Sequence, residues 1–329
     1  MRPYLLRKLW NAYINKKELK HNRIVLRSLP PIVFVEPTNI CNLRCVFCPS
    51  GQRQIKPTGK MNIDLFKKVI DALGPTALQL HLYNWGESFL HSQLPEMIEY
   101  AKRYGSKIIV STNFTKLDKP TAKAIINAKL DRVSASIDGV SQKTYEKYRA
   151  GGNVELALSN MKMLCSLKQK ANSRLPNIDW QFLVSKHNEA ELPKAKQIAK
   201  EIGVKFRAKR LRVGLDEFDK RPGSKVASEH QGWLPESSQY NFYSKKRKKM
   251  ICEALWVHAV ISWQGAVAPC CQVFKPSHSF ANTFPDNFRS VWNGHNFVAA
   301  RKLFAQNSIS EAKRLKLVCV GCSEAGNII

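Results

Sequence analysis

Acidic residues are scarce in this chain. Its 329 residues hold 25 Asp and Glu against 53 Lys and Arg, a net charge of +28. Such a field favours anionic partners: nucleic acid, acidic lipid headgroups, or a phosphorylated or nucleotide-linked small molecule. Long apolar runs are missing too. The most apolar one, Ala254 to Ile261, contains His258 and is far too short to span a bilayer. The start, Met1-Arg-Pro-Tyr-Leu-Leu-Arg-Lys, has no sustained apolar stretch and does not read as a signal peptide. No long low-complexity tract and no aromatic-rich RNA motif is visible, which ranks nucleic acid last among the anionic partners. The basic charge is uneven: residues 1–30 hold eight Lys/Arg and one acid, and residues 204–250 hold thirteen against five, ending in the run Lys245 to Lys249.

Cysteine is plentiful. Nine is high for a cytosolic enzyme, and Cys165 and Cys271 alone fall outside ligand-like spacings. This pattern points to metal ligation in a reducing, cytoplasmic compartment and away from a secreted disulfide scaffold. Three cysteines, Cys41, Cys45 and Cys48, follow a Cys-x3-Cys-x2-Cys spacing. Three thiolates so close can hold three irons of a 4Fe–4S cube and leave the fourth open to a small molecule, whereas most clusters are closed by four cysteines. Zinc normally takes four ligands, often as two x2 pairs, and fits the spacing poorly.

A β/α rhythm begins at residue 32. Strands are predicted at Ile32 to Val35, Ala77 to Tyr83, Lys107 to Ser111, Arg132 to Ile137, Ile178 to Val184 and from Val204. Helices are predicted at Asp64 to Leu73, before Tyr104, and at Lys119 to Ala128, Asn153 to Lys168 and Glu189 to Ile202. Six alternating units imply a parallel sheet with right-handed crossovers, short of the eight that close a TIM barrel. Before them, Leu5, Leu6, Leu9, Trp10, Tyr13 and Ile14 share one side of a helix beside Arg7, Lys8, Lys16 and Lys17. A basic amphipathic helix of this kind either caps a barrel end, the favoured reading, or lies on an anionic membrane as a peripheral contact at the inner surface. The expected divisions are a basic amphipathic segment (1–30), a partial barrel (31–213), a basic linker or loop over the cavity (214–250) and a small C-terminal domain (251–329).

The cysteine run, with Phe47 just before the third cysteine and flanked by Glu36-Pro-Thr-Asn, resembles the signature of the radical S-adenosylmethionine (SAM) superfamily. The resemblance implies an α/β fold, a partial (β/α)6 TIM-like barrel. It implies that Cys41, Cys45 and Cys48 hold a catalytic 4Fe–4S cluster completed by SAM, whose reductive cleavage gives a radical that removes a substrate hydrogen atom. Groups at the C-terminal ends of strands become candidate SAM contacts. Gly86 and Glu87 match a Gly-Gly-Glu motif whose first glycine is here Trp85. Ser111 and Asn113 lie where the family has Thr-Asn-Gly, with Phe114 in place of that glycine. Ser136 belongs to a Ser-x-Asp-Gly pattern, and Arg149 is placed to pair with the SAM carboxylate.

At the C-terminal end, Cys252, Cys270 (preceded by Gly265-x4), Cys319 and Cys322 resemble the SPASM/Twitch auxiliary domains of that superfamily, as does Trp292-Asn-Gly. The chain ends seven residues after Cys322, which favours a single auxiliary 4Fe–4S cluster; Cys271 is the alternative to Cys270, and a four-cysteine zinc site is the competing reading. The shortened module resembles that of an aminocyclitol dehydrogenase. That implies an oxidoreductase acting on a small polar, anionic, sugar-like substrate by oxidation or epimerisation, with an electron donor such as flavodoxin or ferredoxin. The alternatives are a peptide-modifying maturase, a membrane-docked lipid-modifying enzyme and a non-catalytic nucleic-acid-binding iron–sulfur protein.

Overall fold

The computed structural model describes residues 4–214, 226, 228–244 and 252–322. The basic run 245–249 and most of the stretch before residue 226 lie outside the described residues.

Six parallel strands come in the expected order: β1 (Ile32–Val35), β2 (Gln79–His81), β3 (Lys107–Thr112), β4 (Arg132–Ser136), β5 (Asn177–Val184) and β6 (Lys205–Arg210). Six long helices accompany them: α1 (Leu5–Lys20) precedes β1, and α2 (Ile63–Leu73), α3 (Leu94–Lys102), α4 (Lys119–Asn127), α6 (Val154–Lys170) and α7 (Leu192–Ile202) form the crossovers. A short α5 (Gln142–Tyr148) lies between β4 and α6. Local signals start these helices. Asn62, Asp118, Ser141 and Asn153 each accept a backbone N–H of the first turn, and α4 and α7 carry proline near their starts.

The sheet does not stop at six strands. Its order is β6-β5-β4-β3-β2-β1-β7-β8, where β7 (His258–Ile261) adds parallel to β1 and β8 (Val267–Ala268) turns back antiparallel. The second half of the apolar run before residue 262 is therefore a strand of the main sheet, its first half being a helical turn, and one apolar core runs from β1 into the C-terminal helices. Those are α9 (Ala254–Val257), α10 (Phe288–Trp292), α11 (His295–Gln306), α12 (Ser310–Arg314) and α13 (Val318–Cys322), whereas the short α8 (Ser228–Gln231) has no buried residue.

Strand alternation divides the barrel wall. On β4, Val133 and Ala135 are buried, while Arg132, Ser134 and Ser136 are half-buried. Polar side chains also meet on other strands. His81 bonds Tyr83 and Gln79, and Asp179 lies 3.4 Å from Arg132 and 3.2 Å from Arg207. A barrel left open on one side keeps its lumen accessible and tolerates such polar layers, whereas the apolar alternate positions pack beneath the helices.

The first helix caps the barrel end, but with the opposite face from the one its apolar residues predict. Lys8, Asn11, Asn15 and Glu18 are buried. Lys8 Nζ donates to Gly74 O and Ala77 O at 2.5 Å and to Ser106 Oγ at 2.6 Å. Asn11 donates to Leu29 O, and Asn15 to Ser28 Oγ and Trp256 O. Glu18 accepts Arg27 N and the Ser28 hydroxyl. The loops entering the strands leave carbonyls that the sheet does not use, and buried polar groups need partners. The polar stripe of α1 supplies them, which leaves Leu6, Leu9, Trp10 and Tyr13 outside.

Candidate active site

The C-terminal end of β1 delivers the cysteine loop. Arg44 N and Val46 N donate to Ala150 O and Tyr148 O, and Gln52 Nε2 donates to Cys45 O at 3.0 Å. Gly51 packs against this loop so closely that a Cβ would lie 2.6 Å from Cys45 N. Cys41, Cys45 and Cys48 border one cavity of roughly 490 Å³. Burial, with a smaller push from the neighbouring thiols, raises Cys41 to about 12; burial likewise raises Cys45 to about 11 against the pull of Arg149. Thiols this costly to ionise become thiolates when a cation binds them, the chemistry an iron core supplies. Among the described residues, no three His, Cys, Asp or Glu side chains are gathered tightly enough to share one metal ion. A multi-iron core places its ligands on separate irons, so its donors need not converge on a point. The three thiols fit such a core.

The other predicted contacts divide into two groups. Gly86, at φ 99°, lies against the cysteine loop, where a Cβ would fall on Thr38 O, so glycine is required there. Ser111 and Ser136 face the cavity with hydroxyls 3.4 Å apart. The remaining residues already have partners. Glu87 is buried, and its oxygens accept Asn113 N at 2.7 Å and Phe89 N at 3.1 Å. Asn113 bonds Asn42 and Thr115. Trp85 sends its backbone N–H to Glu36 and its indole N–H to Val273 O, tying the barrel to the segment after β8. Phe114 adopts φ 62°, the left-handed region that the expected glycine would occupy without strain.

Arg149 does more than await a carboxylate. Its Nε lies 2.7 Å from Asp138 Oδ2, and its Nη1 lies 3.7 Å from Cys45 Sγ. Burial alone would lower its pKa, but Asp138 and Cys45 outweigh burial and raise it. Asp138 also accepts Leu183 N at 2.6 Å. This pair holds a permanent cation beside a thiol ligand. Sequence reasoning read Asp138-Gly139 as part of a pattern and did not single out Asp138 as the anchor of Arg149.

Sequence reasoning also missed the far wall. Lys209, Arg210 and Arg212 line the cavity where β6 ends, with Gln181, Tyr83, Tyr148 and Gln272. Among the described residues that line the cavity, Glu87 is the one acid. The described part of the expected loop, 228–244, covers this wall. Trp233 and His230 pack on Phe47 at 5.2 and 5.0 Å, Arg210 donates to Gln239 O, and Arg212 lies over Phe242. The signal was present as an alternation of basic residues in Lys205-Phe-Arg-Ala-Lys-Arg.

In the C-terminal region, Cys270 is half-buried; burial first, then its neighbour Cys271, then Cys252 and Cys322 raise its pKa. Its neighbour Cys271 feels Arg212 and bonds Gln272. Cys319 is buried in the short helix α13, which also carries Cys322. Both adjacent cysteines lie near Arg212, and Cys270 lies near Cys252 and Cys322 as well.

Comparisons with known proteins agree with this geometry. The family model for the radical SAM superfamily matches residues 35–178, and that for an iron–sulfur cluster-binding SPASM domain matches 252–323. The Fe-coproporphyrin III synthase of Methanosarcina barkeri is 27% identical over 180 residues, 54% of this chain and 43% of its own. The antilisterial bacteriocin subtilosin biosynthesis protein AlbA of Bacillus subtilis is 24% identical over 311 residues, 87% of this chain and 66% of its own. The chain spans half or less of the length of the first curated relatives it matches. The SAM-bound crystal structure of Streptococcus suis SuiB superposes with a TM-score of 0.61, covering 95% of this chain and 76% of that one. At 14% identity this likeness shows the fold alone.

Proposed function

The chain belongs to the radical SAM superfamily and carries a C-terminal iron–sulfur SPASM domain, and from that premise we propose that it oxidises or epimerises a small polar anion. A radical SAM domain binds SAM and a 4Fe–4S cluster, here to be held by Cys41, Cys45 and Cys48. When bound, the pair supplies a radical able to take a hydrogen atom from an unactivated C–H bond. Cys252, Cys270, Cys319 and Cys322 would hold the auxiliary cluster. A flavodoxin- or ferredoxin-type donor would deliver the electron.

One observation carries the substrate class. The cavity has Lys209, Arg210 and Arg212 on one wall, and Glu87, the one acid among its described lining residues, is engaged by backbone amides. Guanidinium and ammonium groups in a partly closed site bind phosphate or carboxylate strongly. On the far side Trp233 packs on Phe47 and Tyr148, and Arg212 lies over Phe242. The helix α1 lies at the other end of the strands, so docking through it would not bring a lipid to the cavity.

The test is a panel of phosphorylated and nucleotide-linked sugars under anaerobic reduction, followed by 5′-deoxyadenosine release. A product ketone or solvent deuterium at carbon is expected. Replacing Lys209→Gln together with Arg212→Gln should raise KM about tenfold, the loss of one strong ionic contact, while substrate-free SAM cleavage is unchanged. Adenosine covalently attached to product would sink the reading. The similarity to AlbA across most of the chain favours a second reading, modification of a peptide. Turnover of a precursor peptide with no response to any sugar phosphate would select it.

A further inference from the structure

The N-terminal helix is turned inside out relative to its pattern. Leu6, Leu9, Trp10 and Tyr13 lie at helical spacing on its outer side and are between 48% and 72% exposed. Trp10 and Tyr13 stack at 5.6 Å, and Lys17 Nζ lies 4.5 Å from the Tyr13 ring centroid. These side chains are not needed to dock the helix, because Lys8, Asn11, Asn15 and Glu18 do that from the other side. An apolar stripe this exposed is costly to leave in water and marks an interaction surface.

The charges around the stripe select its partner. Arg7, Lys16, Lys17 and Lys20 are all exposed on the same helix, and Arg23 and Arg27 are exposed just beyond it. The single acid of the segment, Glu18, is buried and bonded to Arg27 N and Ser28. The exposed face is therefore leucine and aromatic at one end and cationic at the other, with no anion. That combination matches the headgroup layer of an anionic bilayer, where leucine enters the acyl boundary, Trp and Tyr lie at the interface, and lysine meets lipid phosphate.

We propose that the Leu6, Leu9, Trp10 and Tyr13 face of α1 seats the protein on an anionic phospholipid surface. Because α1 contacts the loops that enter β1, β2 and β3, and the cavity lies where the strands end, the seated protein presents its cavity to the aqueous side. The lipid is a docking surface and not the substrate.

The test is sedimentation of the full cluster-loaded chain with vesicles of phosphatidylcholine alone and of phosphatidylcholine mixed with phosphatidylglycerol. Binding to the mixed vesicles, weakening with salt, is expected. Replacing Leu6, Leu9, Trp10 and Tyr13 together by Ser should lower the partition at least about tenfold, since lost apolar burial acts on affinity directly. SAM cleavage by that variant, unchanged, shows that it is folded. Replacing Lys16, Lys17 and Lys20 by Gln should abolish the salt dependence. Equal binding of the Ser variant, or no binding of the wild type to mixed vesicles, overturns the proposal. So does a dimer that the Ser substitutions break, which would make a second copy the occupant.

Discussion

Asp138 and Arg149 show how one ion pair can prepare a cofactor site. Asp138 is 1% exposed, and its carboxylate is satisfied by Arg149 and by Leu183 N. Removing one partner of a buried pair leaves the other uncompensated, which costs about 3–5 kcal/mol. Asp138→Asn should therefore lower chemical-denaturation stability by that amount and loosen the catalytic cluster, read as faster iron loss to a chelator. The adjacent cysteines permit a sharper comparison. Cys270→Ala should remove about four irons, one cubane's worth, whereas Cys271→Ala should retain them. Iron analysis of the two purified variants decides it; equal loss would mean that both thiols face the cluster.

At the scale of the element, α1 inverts the usual rule for a surface helix. Burial normally follows the apolar stripe because apolar area removed from water is the main driving force. Here the loops beneath the helix offer carbonyls and hydroxyls, and leaving these buried and unbonded costs more than exposing a few leucines. Lys8 donates to Gly74 O, Ala77 O and Ser106 Oγ at once, and Ala77 O also accepts the Ser106 hydroxyl. Lys8→Met keeps the stem and deletes the ammonium. It should destabilise the protein by about 2–3 kcal/mol, the penalty for stranded acceptors, and speed hydrogen exchange along 5–20. A neutral outcome would mean that water replaces the ammonium.

For the whole molecule, the buried carboxyl of Glu36 links the halves. It accepts Trp85 N at 3.0 Å and Trp263 N at 3.3 Å, so it joins the loop after β2 to the turn after β7. Burial raises its pKa from 4.5 to about 7, against the pull of those two amides. The folded state therefore holds a proton that the unfolded state has lost between pH 4.5 and about 7. Stability falls as pH rises through that window, by up to about 3 kcal/mol, and is level above it. His81 acts in the opposite sense: burial lowers its pKa to about 4, so its contribution rises with pH from 4 to 6.5. The difference between wild type and Glu36→Gln isolates the first effect. Denaturation midpoints at several pH values should show a shallower fall for the variant; parallel curves would mean that Glu36 is ionised throughout.

Residue order alone determined the parts that depend on near neighbours. The cysteine spacing and the strand and helix alternation through β6 are local patterns, and each was legible before any contact was known. The expected (β/α)6 rhythm is present, and the strand expected from Val204 runs from Lys205 to Arg210. Tertiary structure decided what depends on distant partners. Asn15 finds Trp256 O across 241 residues, and β7 joins β1 across a similar span. These contacts chose the buried face of α1, added two strands to the sheet, brought Cys270 near Cys252 and Cys322, and gathered Lys209, Arg210 and Arg212 at the cavity. The physical reason is that periodicity states which residues share a side. What that side meets is set by groups from elsewhere in the chain, and by whether their hydrogen bonds are already satisfied.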